Sequence, residues 1–249
     1  MTAVLRTEGL TRRFGALAAV SEVSLTLPRG ARHALIGPNG AGKTTLIDLL
    51  TGALAPTSGD VFLGDERITA LPQHRRVKRG LTRTFQINAL FPGLTVLESV
   101  VLAILEREGR AAEWRRPVAR HRDDAIEAMD LLERLRLADD ANTRTARLPY
   151  GRQRLVEIAL GLASRPRILL LDEPAAGIPA AESAEVLGAI AKLPASVTVL
   201  FIEHDMGLVF RFAERVIVLA AGRILAEGDP EAIARDPRVR EVYLGRADG

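Results

Sequence analysis

Gly37-Pro38-Asn39-Gly40-Ala41-Gly42-Lys43-Thr44-Thr45 decides how the rest of the chain reads. A glycine, four residues and then Gly-Lys-Thr is the spacing of a phosphate-binding loop. Its flanks fit that reading. Ala34-Leu35-Ile36 is an apolar run like a buried parallel strand, and residues 45–50 continue like a helix. Glycines let successive backbone N–H groups turn toward one centre, and the helix aims its positive end at the same place. Lys43 is then set to reach the β- and γ-phosphates of a nucleotide, and the Thr44 hydroxyl to ligate Mg2+. A glycine-rich turn that binds nothing accounts for the spacing alone, without the strand and the helix.

A chain of 249 residues, 47% hydrophobic and 26% charged, has the size and mixture of one large globular domain or a domain with a subdomain. It has no cysteine, which excludes disulfides and thiolate metal sites. No apolar run approaches the roughly 18 residues of a membrane span. The first residues, Met1 to Arg6, carry no signal-peptide pattern, so a cytoplasmic protein is expected. A net charge of +3 makes no strong field. The arginine clusters at 75–83 and 115–122 read first as solvated faces, second as contact with a partner or lipid head groups, and third as contact with nucleic acid.

Along the chain, residues 3–30 alternate loosely, as in 23–27, and suggest half-buried strands closed by Pro28-Arg29-Gly30. A turn at 56–59 leads to a strand at 60–63. Residues 96–105 and 125–137 read as helices, the second with Ala128, Leu131, Leu132 and Leu135 at helical spacing. Residues 109–122 read as a polar, mobile connection. The apolar runs 167–171, 197–202 and 216–219 suit parallel strands covered on both faces. A helix over 181–193 separates the first two, and two short helices close the chain over 230–244. The organisation expected is one α/β unit with a mostly parallel sheet, approximately 1–86 and 164–249. It carries an N-terminal antiparallel β-subdomain and an inserted helical subdomain over 87–163.

The apolar run 168–171 ends in Asp172-Glu173-Pro174. Two acids at a strand end beside a phosphate loop put one carboxylate on Mg2+ and the next near the γ-phosphate, so Asp172 reads as metal partner and Glu173 as general base. The next strand ends in Glu203-His204-Asp205. A histidine at that edge of an open α/β sheet faces the ligand side, and His204 reads as a γ-phosphate contact.

With Gln86 after Thr84-Phe85, and Leu148-Pro149-Tyr150-Gly151-Arg152-Gln153 ahead of the Asp-Glu strand, the chain resembles the ATP-binding-cassette ATPases. The motifs occur in family order from about residue 5 to residue 244. The resemblance implies ATP and Mg2+, with Phe14 stacking on adenine and Gln86 touching the metal while relaying nucleotide state to a membrane partner. It also implies that Pro149, Tyr150, Gly151 and Arg152 meet the γ-phosphate held by a second ATPase subunit in a head-to-tail dimer. Integral membrane permeases and, indirectly, an extracellular or periplasmic substrate-binding protein are the further partners implied, with the chain peripheral at the cytoplasmic face of the membrane. The stretches 84–98, 174–177 and 242–245 look like the branch serving importers of branched-chain and other hydrophobic amino acids. A soluble family member working on ribosomes or DNA is the alternative; such proteins generally carry two cassettes or long coiled-coil insertions, and no nucleic-acid module is visible. Two positions depart from the family pattern. Pro149 stands where Ser or Ala is usual, with neither hydroxyl nor N–H to offer a phosphate. Pro179 stands where a polar residue is usual.

Overall fold

The computed structural model describes residues 3–84, 90–115 and 120–244. Two sheets share the work. The first is antiparallel and built on one long strand, β1 (Ala3–Phe14). Along one edge β1 pairs with β2 (Leu17–Val23) and with β3 (Thr26–Pro28), and on the other with β5 (Ser58–Leu63), which carries β6 (Glu66–Arg67). The alternation over 23–27 is therefore split between two strands, with Ser24 and Leu25 as the bend between them.

The second sheet holds six strands in the order β11 (Arg223–Gly228), β10 (Arg215–Ala220), β4 (Arg32–Ile36), β9 (Thr198–Ile202), β8 (Ile168–Asp172) and β7 (Leu81–Arg83). From β10 to β7 every pairing is parallel. These strands are near-continuous apolar runs because layers cover both faces: all five residues of β4 and of β9 are buried. Because the five run the same way, their carboxyl ends line one edge, where such sheets hold ligands. β11 departs from the parallel pattern. It folds back antiparallel on β10 through Ala221 and Gly222, whose φ values of 47° and 76° belong to a tight hairpin turn.

Apolar cores lie on both faces of this sheet. Leu35, Leu170, Leu200 and Ile217 pack with the antiparallel sheet and with α1 (Lys43–Thr51). Ala34, Leu169, Leu171, Val199 and Phe201 pack on the opposite face with α3 (Val96–Arg107), α4 (Arg122–Arg134), α5 (Tyr150–Ala163) and α6 (Ala180–Ala191). α3 starts where a capping box fixes it: Thr95 Oγ1 accepts from the Glu98 N–H, and Glu98 accepts from the Thr95 N–H. The connection after α3 is pinned at its start, where Arg110 pairs with Asp124 of α4 at 2.6 Å and a 3-10 turn spans Ala111–Arg115. α7 (Met206–Phe212), α8 (Pro230–Arg235) and α9 (Pro237–Leu244) complete the chain.

The arginine cluster at 75–83 is not a solvated face throughout. Arg76, on the short helix α2 (Gln73–Val77), is 1% exposed and has no acidic partner among the described residues. Its guanidinium donates to the carbonyls of Leu49 and Leu50 at the end of α1, and to Leu71 and Thr69. A buried cation at the negative end of α1 satisfies carbonyls the helix leaves open. Burial pushes the Arg76 pKa down to about 10.

Candidate active site

Gly37 leaves β4 with a φ of 155°, and a Cβ there would collide with the Leu219 carbonyl oxygen. Gly42, at φ 100°, caps α1 in a left-handed conformation, and its missing Cβ makes room for the Ala19 carbonyl oxygen. The two glycines are thus required by backbones that approach the loop from β10 and β2. No side chain caps α1, so its first-turn N–H groups face the loop's concavity. Lys43 is 8% exposed, and its Nζ donates to the carbonyl oxygens of Gly37 at 2.6 Å and Pro38 at 3.0 Å. Burial lowers its pKa, and the charges of Glu173 and Asp172 oppose that shift.

Asp172 is the last residue of β8, and its Oδ2 is 2.5 Å from Nη2 of Arg83 on β7. The other arm of that guanidinium, Nη1, meets Asp48 Oδ1 of α1 at 2.6 Å. Glu173 follows at φ 49°, a left-handed conformation that costs a non-glycine residue about 1–3 kcal/mol. Two contacts hold it there. Its N–H donates to the Ile202 carbonyl at 3.1 Å, and its Oε1 lies 2.6 Å from His204 Nε2, where the carboxylate accepts. Glu203, just before His204, is 4% exposed; it accepts from the Ala175 N–H at 2.9 Å and the His204 N–H at 3.3 Å. Burial raises its pKa against those two hydrogen bonds.

The phosphate loop, Asp172, Glu173 and His204 line one cleft of about 380 Å3. Asn39, Gly40, Ala41, Gly42, Lys43, Thr44 and Thr45 form its floor, with Asp172, Glu173 and His204 along one wall and Leu17, Ala18, Ala19, Ala221 and Gly222 along the other. Among the described residues no three His, Cys, Asp or Glu side chains group as a metal cage. The donor set nonetheless fits Mg2+: a hydroxyl and a carboxylate are hard oxygen donors, and Mg2+ keeps water and takes phosphate oxygens for the remainder. The carboxylate also already holds a cation, the Arg83 guanidinium.

Two expected groups of residues lie apart from this cleft. Phe14 pairs across β1 and β2 with Leu17 of the cleft wall; it is 48% exposed, and the Arg12 guanidinium lies 4.6 Å from its ring centre. Pro149, Gly151 and Arg152 border a separate pocket with Glu182 and Glu185 of α6. Pro149 N-caps α5 without a side-chain bond. The N-terminus of α5 is not free, however: the Gly151 N–H donates to Glu182 Oε2 at 3.2 Å. Arg152 is paired with Asp140 at 2.9 Å, and Tyr150 is 42% exposed. Gln86 lies outside the described residues.

Sequence reasoning passed over several contributors. Arg83, Asp48 and Glu203 act through contacts between elements distant in the chain and carry no local signature. Tyr243 of α9 sits by the Gly37 backbone, and burial pushes its pKa up to about 12. The hairpin that lends Ala221 and Gly222 to the cleft was legible in part, since Ala-Gly directly after the apolar run 216–219 is a turn signal.

A family described as ABC transporter matches residues 20–176, the span from β2 past the Asp172-Glu173 pair. The chain belongs to the ABC transporter family. As a member it is an ATPase, and its nucleotide is ATP. A second family, described as branched-chain amino acid ATP-binding cassette transporter, matches residues 223–249. Two relatives cover 98% of both chains: the high-affinity branched-chain amino acid transport ATP-binding protein BraF of Pseudomonas aeruginosa, 42% identical, and LivG of Escherichia coli K12, 40% identical. Among solved structures, the ATP-binding cassette MJ1267 in its ADP conformation superposes with a TM-score of 0.86 at 30% identity, over 99% of this ABC ATPase and 100% of that chain. The dimeric cassette MJ0796 gives 0.75 at 25% identity, over 91% and 98%.

Proposed function

We propose that this ABC ATPase is the ATP-hydrolysing subunit of an importer for branched-chain amino acids or closely related small hydrophobic substrates. The observation that carries the catalytic reading is the convergence of Lys43, Asp172, Glu173 and His204 at one sheet edge, around a loop whose N–H groups and helix end suit phosphate. Lys43 exchanges its loop carbonyls for the β- and γ-phosphates. Thr44 and Asp172 would hold Mg2+, which would supply charge neutralisation on the phosphates. Glu173 accepts the proton of the attacking water as its oxygen joins the γ-phosphorus and the bond to ADP breaks. His204 Nε2–H holds the Glu173 carboxylate until nucleotide binds, then donates to the γ-phosphate instead and leaves that carboxylate free to take the water's proton.

The pocket of Pro149, Gly151 and Arg152 is then the surface presented to the nucleotide of a second ATPase subunit in a head-to-tail dimer, while Phe14 and Leu17 meet the base. Residues 87–163 serve as the helical subdomain of a single cassette. Among the described residues no helix is long and apolar enough to cross a membrane, so transport needs permease subunits. An apolar groove of about 450 Å3 between α3, α5 and β7, lined by Leu90, Phe91, Leu102, Ala103 and Leu160, suits a short segment of such a permease. A substrate-binding protein outside the membrane completes the importer, with this chain peripheral at the cytoplasmic face.

Nucleotide chemistry tests the reading. Lys43→Ala abolishes tight ATP binding by removing the cation from the phosphates, whereas Glu173→Gln keeps binding and loses turnover by at least about 100-fold. A Glu173→Gln protein that hydrolyses ATP at the wild-type rate removes Glu173 from the base role.

A further inference from the structure

Arg83 belongs to two sites at once. Its guanidinium joins Asp48 of α1 to Asp172 of the nucleotide cleft, and the residue also lines the apolar groove together with its neighbours Thr82 and Thr84. It sits on β7, a three-residue strand at the sheet edge whose ladder partner is β8, and β8 ends in Asp172 itself. We propose that Arg83 is a positioning residue of the ATPase, a resident cation that competes with Mg2+ for Asp172 and whose release is governed from the groove. The inference rests on the nucleotide-site and permease readings given above.

The electrostatics favour competition over assistance. A guanidinium 2.5 Å from Oδ2 engages a lone pair of that oxygen, and a divalent cation brought to the same carboxylate is repelled by its charge. The second anchor makes release inexpensive. On leaving Asp172, Arg83 keeps its 2.6 Å pair with Asp48, so no buried charge is left without a partner. That is a two-position element which two ligands can bias. A segment seated in the groove bears on β7 from outside and draws Arg83 from Asp172, which raises metal affinity. By reciprocity, metal and nucleotide in the cleft strengthen the seating of that segment.

Metal binding can be read without turnover. Mn2+ is titrated into the full chain with the non-hydrolysable analogue AMP-PNP, and free Mn2+ is followed by electron paramagnetic resonance. Arg83→Gln binds Mn2+ about five- to tenfold more tightly than wild type. Arg83→Lys, which keeps the charge but has no fork to span both acids, falls between them and guards against a folding defect in the first variant. Arg79→Gln, whose partner Glu66 lies outside the cleft, matches wild type. Equal or weaker Mn2+ binding by Arg83→Gln overturns the competition. Reconstituted with its permeases, the wild type gains Mn2+ affinity and the gap to Arg83→Gln closes; an unchanged gap overturns control from the groove. Failure of the wild type to bind Mn2+ with the analogue would sink the nucleotide-site reading and this one with it.

Discussion

A carboxyl group inside an apolar wall is most stable protonated, and Glu157 of α5 occupies such a wall at 6% exposure. Burial raises its pKa from 4.5 to about 7, and Arg154, 2.9 Å away, opposes only part of that shift. The sign follows from which state holds the proton. Below pH 4.5 both folded and unfolded chains hold it, and the contribution to stability is fully present. As the pH rises toward 7 the unfolded chain releases the proton first, and stability is lost until the folded carboxyl titrates too. At about 1.4 kcal/mol per pKa unit, the loss is about 3 kcal/mol. Denaturant unfolding of wild type and Glu157→Gln at pH 4.5 and pH 8 isolates the effect, since other carboxylates cancel in the difference. The gap shifts by about 3 kcal/mol in favour of the glutamine at pH 8, and a constant gap would refute the buried-acid account. Glu173 makes a related point at the same scale: its left-handed backbone is held by one carbonyl and one histidine.

At the scale of elements, the start of α5 is the surface proposed to meet a second ATPase subunit. A helix N-terminus attracts anions, worth about 0.3–1 kcal/mol at an exposed end. Glu182 of α6 already supplies one, and its carboxylate fills the space a Cβ on Gly151 would need. On that proposal, the γ-phosphate held by the second subunit has to displace an internal carboxylate, and it finds no hydroxyl at Pro149. Glu182→Gln removes the competing charge. Thermal unfolding registers a loss of about 0.3–1 kcal/mol, while ATP-driven dimerisation of the Glu173→Gln protein, followed by light scattering, tightens severalfold. Pro149→Ser, which restores a hydroxyl without moving Glu182, tightens it by no more than about tenfold. If Glu182→Gln weakens dimerisation instead, the contact between α5 and α6 is there to shape the dimer surface.

For the whole molecule, the nucleotide cleft and the proposed permease groove are linked through Arg83, which lines the groove and pairs with Asp172 of the cleft, so a change at one has a short path to the other. Leu160→Arg puts a cation into the apolar groove without touching the cleft. In a reconstituted importer it cuts substrate-stimulated ATP hydrolysis at least about tenfold and leaves basal hydrolysis within about twofold. Equal losses in both assays would mean that the groove serves folding and not coupling.

Much of this protein is written locally. The spacing of Gly37, Gly42 and Lys43, the apolar run ending in Asp172-Glu173 and the run ending in His204 are legible because each motif needs its residues within a few positions of one another. Parallel strands buried on both faces announce themselves as unbroken apolar stretches. β11 was missed because a half-exposed edge strand lacks that run. The arginines were misread for a different reason: charge pattern says nothing about partners. Arg76 is buried because α1 ends in open carbonyls beside it, and Arg83 is paired because folding brings residues 48, 83 and 172 together. Glu182 reaches Gly151 across 31 residues of chain for the same reason. Short-range chemistry was therefore determined by the sequence alone, while the competition for Asp172 and for the start of α5 was decided only when the sheet and the helices were stacked, because a charge takes whatever partner the packing sets within hydrogen-bond reach.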